Sequence, residues 1–198
     1  MNRRHLLIGI VLLTLLLSAC SSEFPIETNM SEKVADFSFT TQDHETLSLD
    51  DLQDDWWIAN FIFTNCKTVC LPMSSNFSTL QKELEKRDLN VQLVSFSVDP
   101  DYDSPEVLKE YGERYDANFE TWHFLTGYDM QTIKELSIKS FRAFLKEPEE
   151  GDDQVTHDTR FFLVNPEGEI VKGYDGVNAG SIDEIIEDIV VLKEEGLL

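Results

Sequence analysis

Cysteine is scarce in this chain, with three in 198 residues. That is too few for a disulfide scaffold. With 41% apolar and 11% aromatic residues, the chain can bury a core without one. Positive charge is scarce as well: 16 Lys and Arg stand against 38 Asp and Glu, for a formal net charge of −22, and no run of Lys or Arg occurs. This disfavours nucleic acid and anionic lipid headgroups as partners. The acidic surplus keeps the protein soluble and suits a saline or alkaline exterior. The one long apolar run, residues 6–17, has 12 residues, short of the ~20 that a membrane-spanning helix needs. No internal repeat or second domain boundary is visible, so the length implies one domain behind a leader.

The leader is "MNRRHLLIGIVLLTLLLSAC": a basic start (Arg3, Arg4), the apolar run, small residues and a cysteine. Residues 1–19 read as a secretory signal peptide. The ending Leu17-Ser18-Ala19-Cys20 resembles the lipobox of bacterial lipoproteins. That resemblance implies cleavage before Cys20 and a lipid on its sulfur, anchoring the protein to the cell membrane with its domain on the extracytoplasmic side. Residues 20–33 are polar and aperiodic and read as a tether; residues 34–198 form the domain. Cys66 and Cys70 then remain as a thiol pair on the oxidising side of a membrane. Such a pair oxidises unless a thiol reductant or a metal protects it.

From residue 34 the patterns alternate. "DFSFT" has period two, and "TLSLDDL" follows a turn at residues 42–45, suggesting an N-terminal hairpin. "WWIANFIFT" is a nearly continuous apolar run, as expected of a central strand covered on both faces. After Pro72, the residues Met73, Phe77, Leu80 and Leu84 lie on one helical stripe. "VQLVSFSVD" reads as a second buried strand. Ser104 and Pro105 read as cap and first position of a helix, and "WHFLTG" as a short strand. "DMQTIKELSIKSF" is helical, with Met130, Ile133, Leu136 and Phe141 facing inward. "EPEEGDDQ" is an acidic loop, and "TRFFLVNPEGEIVKGYDG" a hairpin turning at residues 165–168. The last helix opens on an expected capping box, Ser181 to Glu184, and presents Ile182, Ile185, Ile186 and Ile189 to the core. This order implies an α/β fold, a central mixed sheet flanked by helices, of thioredoxin-like architecture with an extra N-terminal hairpin.

Cys66 and Cys70 sit where the first central strand meets the first helix. Ligands collect at such strand ends, and a helix N-terminus favours thiolate over thiol. Lys67 lies between the two. Four-residue spacing on a helix permits either a disulfide or two sulfurs on one metal ion, and leaves both open. The four histidines differ in setting. His5 lies in the leader, His44 in a polar turn, and His123 in an aromatic strand. His157 enters a strand from the acidic loop, at a junction that lies beside the cysteines in a thioredoxin-like fold. Cys66, Cys70 and His157 make a soft S₂N set that suits copper. Zinc accepts the same ligands, but structural zinc sites have four, and no fourth cysteine or histidine stands out. Met73 has the spacing of a core residue.

Together "NFIFTNCKTVC", "SFSVDPDYDSPEVLKEY", "FLTG" and His157 ahead of "FFLVNPEGEIVKGYDG" resemble the Sco/SenC family over about residues 34–192. The resemblance implies a thioredoxin-like protein that binds copper and helps assemble the binuclear copper centre of cytochrome c oxidase, with that oxidase's copper-bearing subunit as partner. It implies Cys66, Cys70 and His157 as metal ligands, Cys66 and Cys70 as the redox-active pair able to close a disulfide, and Asp99 of the "VDP" motif as an acidic residue near the site. One position departs from the family pattern: Leu71 follows the second cysteine where proline is usual, and Pro72 comes next.

Two functions fit these residues: copper delivery by an assembly factor, or a thiol–disulfide reductase keeping the oxidase subunit's cysteines reduced. C-x-x-x-C in place of C-x-x-C, and a histidine surplus to thiol exchange, favour the first. Peroxidase activity, suggested only by Thr64 ahead of the cysteine, fits less well. Metal capture is expected to involve movement of the acidic loop that delivers His157.

Overall fold

The computed structural model describes residues 24–66, 70–149 and 151–198, with the Cys70 side chain excepted. The signal peptide, Cys20 and Lys67 lie outside the described residues.

Three parallel strands make the centre of the sheet: β4 (Trp56–Ile62), β5 (Val91–Ser97) and β6 (Trp122–Thr126). All seven residues of β4 are buried, as its unbroken apolar run requires. Alternate side chains serve two cores. Trp56, Ile58 and Ile62 pack with helices α1 (Cys70–Lys86), α2 (Pro105–Arg114) and α4 (Ser181–Glu194). Trp57, Ala59, Phe61 and Phe63 pack with α3 (Met130–Phe141) on the other face. The mixed sheet between helices is thus as expected from the sequence. Antiparallel strands complete it. β9 (Arg160–Val164) pairs with β4, and β10 (Glu169–Asp175) follows β9 through a turn in which Gly168 takes φ 75°. The hairpin of β2 (Ser38–Thr41) and β3 (Thr46–Ser48) joins β6 at the far edge.

Several local expectations are corrected. The "TLSLDDL" strand stops at Ser48, because Asp50–Leu52 forms a 3₁₀ turn. The capping box does not form. Ser181 is already the first helical residue, Asn178 instead accepts from the Gly180 N–H, and the Glu184 carboxylate is taken by the buried Lys172 at 2.9 Å. The chain also packs earlier than the tether boundary suggests. Ile26 is buried in the core, Asn29 exchanges side-chain hydrogen bonds with Gly173, and β1 (Glu32–Lys33) adds to the edge of the sheet beside β10. Finally, the acidic loop is clasped by a two-stranded ribbon, β7 (Leu145–Lys146) with β8 (Thr156–His157), which pairs Leu145 with His157.

Candidate metal and thiol site

The site grows out of the end of β4. The last rung of the central ladder there is the Val98 N–H on the Ile62 carbonyl, at 2.8 Å. Phe63 is still buried, on the α3 side. The chain then turns back: the Cys66 N–H reaches the Phe63 carbonyl at 3.4 Å, and Cys66 sits half-buried against the α3-side core. Cys70 opens α1, a helix of 17 residues. Its backbone therefore stands at the positive end of the helix dipole, where a thiolate is favoured. The side chain of Cys70 lies outside the described residues. Pro72 falls in the first turn, where a missing N–H removes no helical bond, and Leu71 is exposed. Met73 is fully buried with Phe77 and does not reach outward.

His157 arrives from β8 and is buried. Its ring stands edge-on to that of Phe63, with centroids 5.7 Å apart at 84°. Cys66 and His157, 91 positions apart in the sequence, thus meet the same residue, one at its carbonyl and one at its ring. His157 Nδ1 lies 2.8 Å from the Asp158 carbonyl oxygen. A carbonyl only accepts, so Nδ1 carries the hydrogen, and in the neutral ring the lone pair is on Nε2, the arrangement of a metal-ligating histidine. The next residues are braced. Arg160 forks onto Asp158 through Nε and Nη2, at 2.9 and 2.7 Å, and the Asp158 N–H meets the Phe144 carbonyl at 2.8 Å. Burial pushes the Asp158 carboxyl up, but the hydrogen bonds and charge of Arg160 outweigh it and hold the group below the usual carboxylate range. The acidic loop is tied to the cysteine turn a second time. Asn65 Nδ2 donates to Asp153 at 3.0 Å, and Gln154 Nε2 donates to the Asn65 carbonyl at 3.2 Å.

Asp99 is partly buried, and its main role is in the backbone. Its carbonyl accepts from the N–H groups of Tyr102 and Asp103, at 3.1 and 2.9 Å. Burial, then the neighbouring charges of Asp101 and Asp153, push its carboxyl up. It therefore lies near the Asp153 that ties the loop. The other described histidines are engaged elsewhere: His44 is exposed and pairs with Glu106 at 2.9 Å, and His123 faces Asp43 and Glu45. Among the described residues, which leave out the Cys70 thiol, no three His, Cys, Asp or Glu side chains converge as a metal cluster.

One residue escaped the sequence reading. Asp103 is fully buried and accepts from Thr64 and Ser97. Burial pushes its carboxyl up to about 6, although the hydrogen bonds from Ser97 and Thr64 pull the other way. In sequence it is one of three aspartates in "DPDYD", of which only Asp99 is singled out by its motif.

Comparison with known proteins adds to this geometry. The family model described as SCO1/SenC matches residues 26–194. The crystal structure of a SCO1/SenC family lipoprotein from Bacillus anthracis str. Ames is 40% identical, with a TM-score of 0.78 over 82% of this chain and 95% of that one. The structure of BsSco, a member of the Sco family of cytochrome c oxidase assembly proteins in which a disulfide switch was identified, is 42% identical, with a TM-score of 0.77 over 84% and 96%. Arabidopsis thaliana ScoI, solved with copper bound, is 27% identical, with a TM-score of 0.66 over 79% and 97%.

Proposed function

We propose, on the premise that this chain belongs to the SCO1/SenC family, that it binds copper through the sulfurs of Cys66 and Cys70 and Nε2 of His157, and assists assembly of the binuclear copper centre of cytochrome c oxidase. The observation that carries this reading is the meeting of the Cys66 turn and the His157 ring at Phe63. Two thiolates and an imidazole match copper in softness. The Asp158 carbonyl presents the correct nitrogen, and the helix start favours the thiolate of Cys70. Copper bound to the related ScoI, and the oxidase-assembly role of BsSco, support the same assignment. In this reading copper is cargo, handed to the copper-bearing subunit of the oxidase. Lipid on Cys20 holds the domain at the outer face of the cell membrane, as the lipoprotein relative from Bacillus anthracis supports.

A second reading rests on the disulfide switch of BsSco. The reduced pair would attack a disulfide of the oxidase subunit. One thiolate forms the mixed disulfide and the other resolves it, leaving the subunit as dithiol and this chain as the Cys66–Cys70 disulfide, two electrons having passed. A thiol reductant would then restore the pair.

Copper titration of the reduced full chain separates the two. His157→Ala should weaken copper by more than the roughly 10–100-fold that loss of a mere supporting partner costs, and should leave disulfide exchange nearly intact. Reduced wild type should show a thiolate-to-Cu(II) charge-transfer band that Cys66→Ser lacks. Unchanged copper affinity in His157→Ala would remove the ligand assignment. Collapse of exchange with copper binding retained would favour the reductase.

A further inference from the structure

Asp103 has no part in the chemistry above, yet its burial demands an explanation. It is 0% exposed, and each hydrogen bond its carboxylate accepts comes from a neutral donor. The Thr64 N–H lies 3.2 Å from Oδ2 and 3.3 Å from Oδ1, the Thr64 hydroxyl 2.6 Å from Oδ1, and the Ser97 hydroxyl 2.6 Å from Oδ2. Among the described residues no cation stands beside it, and a buried carboxylate so placed works against folding, so a structural clasp alone is a poor reason to keep one.

Its position supplies another reason. The ladder of β4 with β5 ends at Ile62, and the Thr64 N–H lies beyond it. Asp103 takes over at that point. It grips Thr64 from the α2 side of the sheet, while Phe63 and Cys66 face the α3 side. One carboxylate thus joins three segments: the exit of β4 two residues ahead of Cys66, the end of β5 at Ser97, and the entry to α2. We infer that Asp103 is a positioning residue, whose carboxylate suspends the turn of residues 63–66 from the β5–α2 junction and holds Cys66 where the His157 ring can meet the same metal. The inference rests on the copper reading for its metal, but its geometric content, the fixing of Cys66, does not. A carboxylate fits this task because its two oxygens accept from Thr64 and Ser97 at once. An amide keeps one acceptor and turns a donor toward the other hydroxyl.

The test uses the full chain, reduced, in detergent, with Asp103→Asn as the principal variant. Copper affinity, measured against a competing chelator, should fall about 10–100-fold. Alkylation of Cys66 in a Cys70→Ser background without metal should speed up by about tenfold, as the turn opens locally. Ser97→Ala is the structural control. It removes a donor from the same carboxylate while sparing both Thr64 bonds, and should lower the thermal midpoint without moving Cys66 alkylation. If Asp103→Asn does not fold, Thr64→Val carries the test and should speed alkylation in the same direction. Unchanged alkylation in the folded Asn variant, or in Thr64→Val where that carries the test, overturns the inference, as does equal acceleration by Ser97→Ala. The alkylation arm needs no copper, so it decides the role of Asp103 even where wild type binds none. Copper lost in His157→Ala but untouched in Asp103→Asn would leave the functional reading standing and this inference fallen.

Discussion

An imidazole can ligate a metal only through a nitrogen that carries no hydrogen, and at His157 the carbonyl of the very next residue engages Nδ1, leaving Nε2 for the proposed copper. Asp103 is the other residue whose environment has a measurable consequence. Its carboxyl is raised from 3.8 to about 6 in the fold. The native state therefore holds that proton more tightly than the unfolded chain between pH 4 and 6, and stability from this group falls as pH rises through that window. The difference is about 3 kcal/mol between pH below 4 and neutral pH. Denaturant titrations of wild type and Asp103→Asn should converge on a constant offset at neutral pH, with wild type gaining relative stability as pH drops from 6 to 4. A parallel pair of profiles would mean that Asp103 is not held in this way. That His157 lies beside the cysteine turn was legible in the sequence because a histidine leaving an acidic loop for a strand reaches that end of the sheet in a thioredoxin-like order. Asp103 was not, because three aspartates around a proline and a tyrosine give no sign of which one turns inward. That depends on Thr64 and Ser97, which reach it from two other strand ends.

At the level of elements, short interlocks tie the strands to the helix that Cys70 opens. Gly176 is one. Its N–H meets the Thr159 carbonyl at 3.0 Å, and its own carbonyl accepts from Asn76 of α1 at 2.8 Å, so it joins the end of β10 to both β9 and α1. A Cβ there would run into the Thr159 carbonyl and the Phe161 ring. Gly176→Ala should therefore destabilise by about 1–3 kcal/mol, seen as a lower urea midpoint at an unchanged slope. A loss below about 0.5 kcal/mol would mean that the strands part easily. Helices with strong periodicity were plain in the sequence: Met73, Phe77, Leu80 and Leu84 are all buried, as are Ile182, Ile185, Ile186 and Ile189. The ends were less legible. Ser181 and Glu184 have the spacing of a capping box, but tertiary demand from Lys172 claims the glutamate. The two-residue strands β7 and β8 are too short to leave any alternation, though they orient His157.

For the whole molecule, charge is the dominant fact. With a formal net charge of −22, the folded chain repels itself, and salt should relieve that repulsion. Raising ionic strength from about 0.01 M to 1 M shortens the screening length from roughly 30 Å to 3 Å. The thermal midpoint should rise by a few degrees, on the scale of ~2–4 °C per kcal/mol for a chain of this size. A midpoint that falls with salt would show that surface ion pairs such as Lys109 with Asp43 outweigh the repulsion. The fold class was readable because central strands covered on both faces must be apolar throughout. The true start of the packed chain was not, because Phe24, Ile26 and Met30 are scattered without strand or helix period among polar residues and β1 has only two members.

That early packing has a consequence for where copper is handled. Phe24 rests 6.4 Å from Trp56, ring to ring, at the opposite end of β4 from the cysteine turn. Only four residue steps separate it from Cys20, a leash of at most about 14 Å. On the proposed lipid anchor at that sulfur, the molecule would stand close to the bilayer on its Trp56 end. The cysteine turn would then point outboard, farther from the anchor by the length of the strand, about 20 Å. A recipient would then have to offer its own copper site at about that height above the lipid, since four residues reach no farther.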